Sequence, residues 1–481
     1  MLTENDLVYV AFALYLLVVL WIGWMAAERT HNAADYFLGS RQLGRWVAAL
    51  SAGASDMSGW LLLGLPGFAY AAGLQAGWLA LGLFAGTWAN WKWIAPALRQ
   101  QSGKVGDAIT LPDFFAHRFP DHARLMRCIS ALFILLFYLF YTGSGLVAAG
   151  KLFESVFGFD YLWATCLGTL VILVYTVIGG FLAVSWTDLF QGLLMFFALT
   201  ISAFMAVSIL GGPLGAIDKL ESANPAYLDW FSALPGEPVT WLSILSLLGW
   251  GLGYFGQPHI LARFMAIRSC RMIPGARAIA VTWSGCCLLA ALAVGMAGVL
   301  LLDQPLVGSD SERVFLEILP LLFHPFMAGL CLAAILAAIM STADSQLLVA
   351  SSAISEDLYH VLTRKQLSER RQLLLGRISV GIIALLALGL AMDPGKRVLD
   401  LVAYAWAGFG ASFGPALLLT LFWKPVRGMA VLAGIITGGA TVVLWQYTGD
   451  RLVSGINEII PGFILAGLVI ILISCTCNSR Q

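Results

Sequence analysis

Runs of about 20 apolar residues recur from one end of this chain to the other, and that recurrence leaves few folds open. A backbone inside a bilayer must satisfy its own N–H and C=O groups, so runs of this length read as transmembrane α-helices. About thirteen candidates can be drawn. Their approximate limits are 6–26, 45–72, 77–98, 128–149, 160–179, 186–211, 238–258, 277–302, 324–349, 376–392, 398–422, 428–447 and 460–477. Of the 481 residues 60% are hydrophobic and only 11% charged, against about 25% charged in soluble domains. The formal net charge is zero, which gives no reason to expect nucleic acid or an acidic partner. The 8 Cys lie mostly in apolar stretches without a Cys-x-x-Cys, which argues against a disulfide framework or a zinc site.

The first run follows Glu4, Asn5 and Asp6 rather than a basic segment, so it is expected to be a retained helix and not a cleaved signal. Loop charges alternate. Basic loops carry Arg29, Arg41 and Arg45; Arg99, Lys104, Arg118, Arg124 and Arg127; Arg263, Arg268, Arg271 and Arg277; Arg364, Lys365, Arg370 and Arg371; and Lys424 with Arg427. Between them lie acidic loops with Asp218, Glu221, Asp229 and Glu237, then Asp303, Asp310 and Glu312. Lys and Arg favour the cytoplasmic side, so the N-terminus is expected outside and the C-terminus inside. The segment 356–371 reads as a surface helix whose charges form a solvated face.

Residues 51–64, Ser-Ala-Gly-Ala-Ser-Asp-Met-Ser-Gly-Trp-Leu-Leu-Leu-Gly, place the carboxylate of Asp56 inside a span that Gly53, Gly59 and Gly64 make hard to keep helical. An ionised side chain at that depth costs about 2.5–3.5 kcal/mol on insertion scales and needs a partner. A helix that opens there frees carbonyls for a cation and N–H groups for an anion, which points to a solute-and-ion site in a transporter. Five spans later, Leu248 to Pro258 carries Gly249, Gly251, Gly253 and Gly256 before the proline. Either segment alone could be glycine-mediated helix packing. Paired interruptions favour a midplane site between inverted repeats. Trp250 and Tyr254, four residues apart, share a face if the backbone is helical and could enclose a small amphipathic solute.

The ninth span ends Leu-Ala-Ala-Ile-Met-Ser-Thr-Ala-Asp-Ser-Gln at Gln346. The hydroxyls of Ser341 and Thr342, with the Ala338 carbonyl one turn earlier, suit a hard alkali cation. Such hydroxyls also commonly bond back to their own helix. Asp188 and Asp344 are either buried functional carboxylates or residues at watered cytoplasmic helix ends.

Together these stretches resemble the sodium/solute symporter family, and within it the proline-transporting bacterial members. The resemblance runs through nearly the whole chain, in 38–44 (Leu-Gly-Ser-Arg-Gln-Leu-Gly), 49–62, 179–188 (Gly-Gly-Phe-Leu-Ala-Val-Ser-Trp-Thr-Asp), 249–264, 334–342 and 404–411. It implies an all-α membrane protein with a leucine-transporter-type core of two inverted five-helix repeats, about 45–211 and 238–422. One extra helix at about 6–26 precedes that core, and two peripheral helices at about 428–477 follow it. It implies Na+ held by the carbonyls of Ala54, Met57 and Ala338 and the hydroxyls of Ser341 and Thr342, with Asp56 shaping that site. It implies substrate binding by Ser58, Gly64, Tyr141, Trp250, Tyr254 and Pro258, and a coupling role for Arg41. Asp344 departs from the enterobacterial pattern, which has a small polar residue there, so cation number and ligation stay open.

The expected function is therefore sodium-driven import of L-proline across the bacterial cytoplasmic membrane, with Na+ as co-transported ion, no organic cofactor and no obligate protein partner. A symporter for another small solute is the nearest alternative. A membrane sensor module is disfavoured because no soluble domain follows residue 477. A membrane enzyme is disfavoured because the six His are scattered and no nucleophile motif is present.

Overall fold

The computed structural model describes residues 3–27, 41–105, 108, 110–178, 180–233, 237–359, 361, 369–452 and 455–476. Arg29, Arg364 and Lys365, counted above as loop charges, lie outside them. A helix lies on every expected apolar stretch. Among the described residues, ten helical stretches are long and apolar enough to cross a membrane. Trp60–Lys104 counts there as one although it turns midway, and Tyr161–Val174 and Trp241–Gly256 are apolar but shorter.

In chain order the helices begin with α1 (Glu4–Ala27) and α2 (Arg45–Asp56), then a π-turn Trp60–Gly64 leading into α3 (Leu65–Ala72). Gly73, at φ 63°, turns the chain into α4 (Ala76–Ala89), which passes through a second π-turn, Asn90–Ile94, into α5 (Ala95–Lys104). There follow α6 (Leu111–Arg118), α7 (Ala123–Phe157), α8 (Tyr161–Ile178), α9 (Phe181–Ile209) and the short α10 (Gly212–Ala223). A two-stranded hairpin, β1 (Ser232–Ala233) with β2 (Glu237–Pro238), precedes α11 (Trp241–Gly249). A 3-10 segment, Trp250–Gly256, joins α11 to α12 (Pro258–Ala266). The remainder is α13 (Ile273–Leu301), α14 (Val314–Leu322), α15 (Pro325–Ser352), α16 (Glu369–Ala391), α17 (Val398–Phe422), α18 (Gly428–Leu452) and α19 (Ile459–Thr476).

Two helices are interrupted, and both interruptions are buried. The span that holds the second break extends further than the apolar run at 238–258 indicated, because Pro258 starts a new half-helix, Pro258–Ala266, where a missing N–H costs nothing. Glycine serves packing here as well as helix breaking. A Cβ on Gly86 of α4 would stand 2.3 Å from the Gly251 carbonyl oxygen, and one on Gly251 would stand 2.2 Å from that of Gly82. On the opposite side, a Cβ on Gly253 would lie 1.9 Å from Trp406 Nε1 in α17. The 3-10 segment is thus wedged between α4 and α17 with backbone against backbone, as small residues permit in membrane helices.

Charge placement departs from the loop reading at three points. Arg263, counted with a basic loop, is fully buried in α12. Glu312, counted with an acidic loop, is buried, pairs with Lys151 at 2.6 Å and accepts from the Val398 and Leu399 N–H groups at the start of α17. Asp357, expected on a solvated surface helix, is buried on a π-turn continuing α15 and pairs with Arg127 at 3.0 Å. In each case the chain brings a partner from a distant helix, which a window of local sequence does not contain.

Gly86→Ala and Gly251→Ala are expected to lower the thermal midpoint of the detergent-solubilised protein, since overpacking costs about 1–3 kcal/mol. Gly389→Ala in α16, where a Cβ meets no atom within 4 Å, is expected to leave it unchanged or raise it by up to about 1 kcal/mol of helix propensity.

Candidate functional site

The first break follows from what α2 loses at its end. Met57 N–H still reaches the Gly53 carbonyl at 2.8 Å, but Met57 then adopts φ −85° and ψ 78° and the helix stops. The carbonyls this frees are met from other helices. Ser341 Oγ donates to Ala54 O at 2.8 Å and lies 3.1 Å from Ala338 O, while Thr342 Oγ1 donates to Ala54 O at 3.2 Å. Four of the five atoms expected around Na+ are therefore gathered between α2 and α15. All four residues are buried. Neutral carbonyl and hydroxyl oxygens of this kind are the donor set of a hard alkali cation. Met57 lies three residues beyond Ala54, and its carbonyl is not hydrogen-bonded to the cluster.

Asp56 stands at the centre of a second set of contacts. Its backbone carbonyl accepts from Tyr141 OH at 3.0 Å and from Trp60 Nε1 at 3.1 Å. Its side chain, 2% exposed, accepts from Tyr254 OH at 2.6 Å through Oδ2. This bond ties the first broken helix to the second. The 3-10 segment is held in turn by side chains that take its carbonyls: Trp406 Nε1 on Trp250 O at 2.7 Å, Gln257 Nε2 on Gly253 O at 3.1 Å, and Asn90 Nδ2 on Tyr254 O at 3.0 Å. The Tyr254 ring stands edge-on to Trp406, with centroids 4.9 Å apart.

Beside Asp56 lies a cavity of about 10 Å³ lined by Thr87, Asn90, Trp91, Tyr254, Ile260 and Ser284 among others. Of the residues expected to bind substrate, only Tyr254 lines it. Trp250 is buried but contributes its carbonyl to Trp406, and the 3-10 backbone, at about three residues per turn, turns it about 120° away from Tyr254 rather than onto one face. Ser58 is buried, with its N–H on Asp56 O at 3.0 Å. Gly64 faces Leu399, to whose Cβ a methyl on it would approach within 3.3 Å. Pro258 caps the start of α12.

Asp188 and Asp344 are both fully buried, which decides against watered helix ends. Asp188 Oδ2 accepts from Arg263 Nη2 at 3.2 Å and from Ser51 Oγ at 2.6 Å. Arg263 also donates from Nε to Ser51 Oγ at 3.1 Å and from Nη1 to His259 O at 3.0 Å, with its guanidinium 5.0 Å from the Phe181 ring centroid. Asp344 accepts from the Thr176 hydroxyl. Arg41 lies apart from all of these at φ 54°, donating to Ala108 O at 2.9 Å and Ser102 Oγ at 3.2 Å. Next to it, Leu43 N–H meets Ala266 O at 3.1 Å and Arg268 N–H meets Leu43 O at 3.1 Å, so the chain entering α2 is stitched to the chain leaving α12.

Thr87, Asn90 and Trp406 were not singled out on the sequence. Thr87 and Asn90 carried a usable signal, being polar residues three apart on one face of an apolar helix. Arg263 carried none, since a charge flanking a span reads as a loop.

A profile described as the sodium:solute symporter family matches residues 36–438. The sodium/proline symporter of Escherichia coli (strain K12) is 47% identical over 470 residues, covering 97% of this chain and 92% of that protein. The osmoregulated proline transporter OpuE of Bacillus subtilis (strain 168) is 46% identical over 468 residues, covering 97% and 94%. Among solved structures, a Na+-coupled sialic acid symporter in a substrate-bound outward-open state superposes with TM-score 0.79 at 19% identity, covering 98% of each chain. The nucleobase-cation symporter Mhp1 in a closed conformation superposes with TM-score 0.54 at 15% identity, covering 93% of this chain and 96% of that one. At these identities the two structures establish the fold.

Removing one member of a buried ion pair leaves the other charge stranded, at about 3–5 kcal/mol. Asp188→Ala and Arg263→Met are each expected to lower the unfolding midpoint sharply. The double variant should lose much less than their sum, as read by thermal unfolding in detergent.

Proposed function

The chain belongs to the sodium:solute symporter family, and we propose that it imports L-proline together with Na+ by alternating access. The observation that carries this reading is the convergence of both broken helices on Asp56, with cation-type oxygens gathered on one side and aromatic side chains on the other. The naming of the relatives from Escherichia coli and Bacillus subtilis as proline transporters, at nearly half identity over almost the whole chain, supports proline as the solute.

In this reading Na+ binds at Ala54, Met57, Ala338, Ser341 and Thr342, and so ties α2 to α15. Asp56 organises that site through its backbone, which Tyr141 and Trp60 keep in place. Ser58, Gly64, Tyr141, Trp250, Tyr254 and Pro258 accommodate proline when the segments move apart, since a cavity of about 10 Å³ admits no more than a water-sized group. Asp188 and Asp344 are candidates for a further ion or for coupling. Arg41, at the seam between the entry to α2 and the exit from α12, acts on inward opening. Sodium raises substrate affinity by favouring the substrate-competent arrangement, and proline raises sodium affinity by the same factor. The driving force is the sodium gradient plus about 2.3 kcal/mol per charge per 100 mV of membrane potential.

The repeats span about 45–211 and 238–422. The protein resides in a bacterial cytoplasmic membrane with its N-terminus outside and its C-terminus inside, and it performs transport, not catalysis.

Uptake of labelled L-proline into proteoliposomes under an imposed sodium gradient tests the function directly. Gradient-dependent accumulation that excess proline abolishes and sugars leave untouched is expected; accumulation independent of sodium, or competition by sugars, overturns it. Thr342→Ala should raise the sodium concentration for half-maximal uptake severalfold, and Thr342→Ser should do so much less. Trp250→Ala and Tyr254→Ala should raise the KM for proline by roughly ten- to two-hundredfold, with surface expression near that of the parent.

A further inference from the structure

Three buried oxygen atoms around the small cavity beside Asp56 have no hydrogen-bond partner among the described residues: Asp56 Oδ1, Thr87 Oγ1 and Asn90 Oδ1. All three residues are at least nine-tenths buried. Two of the atoms can only accept, and the third can accept as readily as donate. An unpaired buried acceptor is costly, so three around one cavity describe a receptor for a donor. Among the described residues, the only side chain bonded to the Asp56 carboxylate is the neutral Tyr254 hydroxyl, at 2.6 Å. No described Lys, Arg or His pairs with it, so its charge calls for a cation that the protein itself does not supply.

That cation is not the one held by Ala54. Two residues along an α-helix correspond to about 200° of rotation. The Ala54 carbonyl is met by Ser341 and Thr342 from α15, whereas the Asp56 side chain reaches Tyr254 in the 3-10 segment and lines a cavity walled by α4 and α13. One short helix thus presents neutral oxygens toward α15 and a charged acceptor toward α4.

We propose that the Asp56 carboxylate, with Thr87 and Asn90, is the anchor for the substrate's ammonium group. The inference rests on the amino-acid reading above and assigns a partner to the positively charged part of the solute. A secondary ammonium carries two N–H donors and a full positive charge on an atom about the size of a water molecule, and the cavity has room for such a head. One N–H takes the place of the Tyr254 hydroxyl on Asp56 Oδ2 or meets the unpartnered Oδ1, and the other meets Thr87 or Asn90. Displacing the Tyr254 hydroxyl severs the hydrogen bond that joins the two breaks at the cavity, so the ammonium opens the space its own ring needs. Asn90 holds the Tyr254 carbonyl through Nδ2 at 3.0 Å while offering Oδ1 to the cavity, which couples occupancy to the position of the 3-10 segment.

The test compares two ligands that differ only at that nitrogen. Binding of L-proline and of tetrahydrofuran-2-carboxylate, which keeps the ring and carboxylate but replaces the ammonium by an ether oxygen, is measured by calorimetry on the purified full chain in sodium buffer. The parent is expected to prefer proline by at least about 100-fold, as sites built around a substrate N–H do. In Asp56→Asn that preference should fall below about tenfold. Thr87→Val and Asn90→Leu should each reduce it several-fold without moving the sodium concentration for half-maximal binding, and they carry the test if Asp56→Asn does not fold. Equal weakening of both ligands with the ratio kept, accompanied by a higher sodium requirement in Asp56→Asn, would assign the carboxylate to sodium and overturn the proposal. So would an unchanged ratio in both Thr87→Val and Asn90→Leu. A parent that binds no proline in sodium defeats the amino-acid reading itself, an outcome distinct from a parent that binds proline with a ratio the variants preserve.

Discussion

An opened helix inside a bilayer exposes carbonyls that water cannot reach, and the rest of this structure is arranged around satisfying them. At the first break the Ala54 carbonyl is met by two hydroxyls from α15, and the Asp56 carbonyl by Tyr141 and Trp60. At the second, Trp406, Gln257 and Asn90 each take one carbonyl of the 3-10 segment. Every one of these donors comes from a side chain and can be withdrawn when a helix shifts. A regular helix would have closed the same carbonyls permanently. The breaks are therefore stable as long as the surrounding helices stay in register, and they respond when those helices move.

The two breaks meet in a short contact, the Tyr254 hydroxyl on the Asp56 carboxylate, and Arg263 on Ser51 joins the same two helices further along. Backbone-to-backbone packing at Gly86 and Gly251 seats the 3-10 segment that carries Tyr254 against α4. The cation-type oxygens of the Ala54 cluster and the aromatic wall lie on different sides of α2, so whatever binds one side alters the helix that carries the other. In the proposed transport cycle this gives a coupling free energy between the two sites without any direct contact between the two ligands. The seam at Leu43, Ala266 and Arg268 joins the far ends of the same two broken helices, so they are linked both at the site and at their ends.

Buried ion pairs mark where distant helices must stay together. Arg263 with Asp188 ties α12 to α9, Lys151 with Glu312 ties α7 to the segment before α14, and Arg127 with Asp357 ties α7 to the continuation of α15. In a low-dielectric interior an isolated charge is costly and a matched pair is tolerable, so each pair fixes one approach of two helices more strictly than apolar packing does. Glu312 does more than pair, because it also caps the first turn of α17, where its negative charge meets the positive end of that helix.

The sequence by itself determined that the chain is a multi-pass helical membrane protein, where its helices lie, and which two of them break. Those properties are local: a run of about 20 apolar residues must span, and glycines beside a buried carboxylate must weaken a helix. It also marked Ala338, Ser341 and Thr342, because hydroxyls and small residues at helical spacing leave a readable pattern, while Ala54 came with the family resemblance. Only the tertiary structure decided that Arg263, Glu312 and Asp357 are buried, since a flanking charge looks the same whether its partner is water or a residue a hundred positions away. Only it brought Thr87 and Asn90 beside Asp56, turned Trp250 away from Tyr254 by tightening the segment to three residues per turn, and buried Asp188 and Asp344 completely. Periodicity belongs to one helix, but the neighbour that a side chain meets depends on how several helices pack, and that packing is set by contacts the local sequence does not contain.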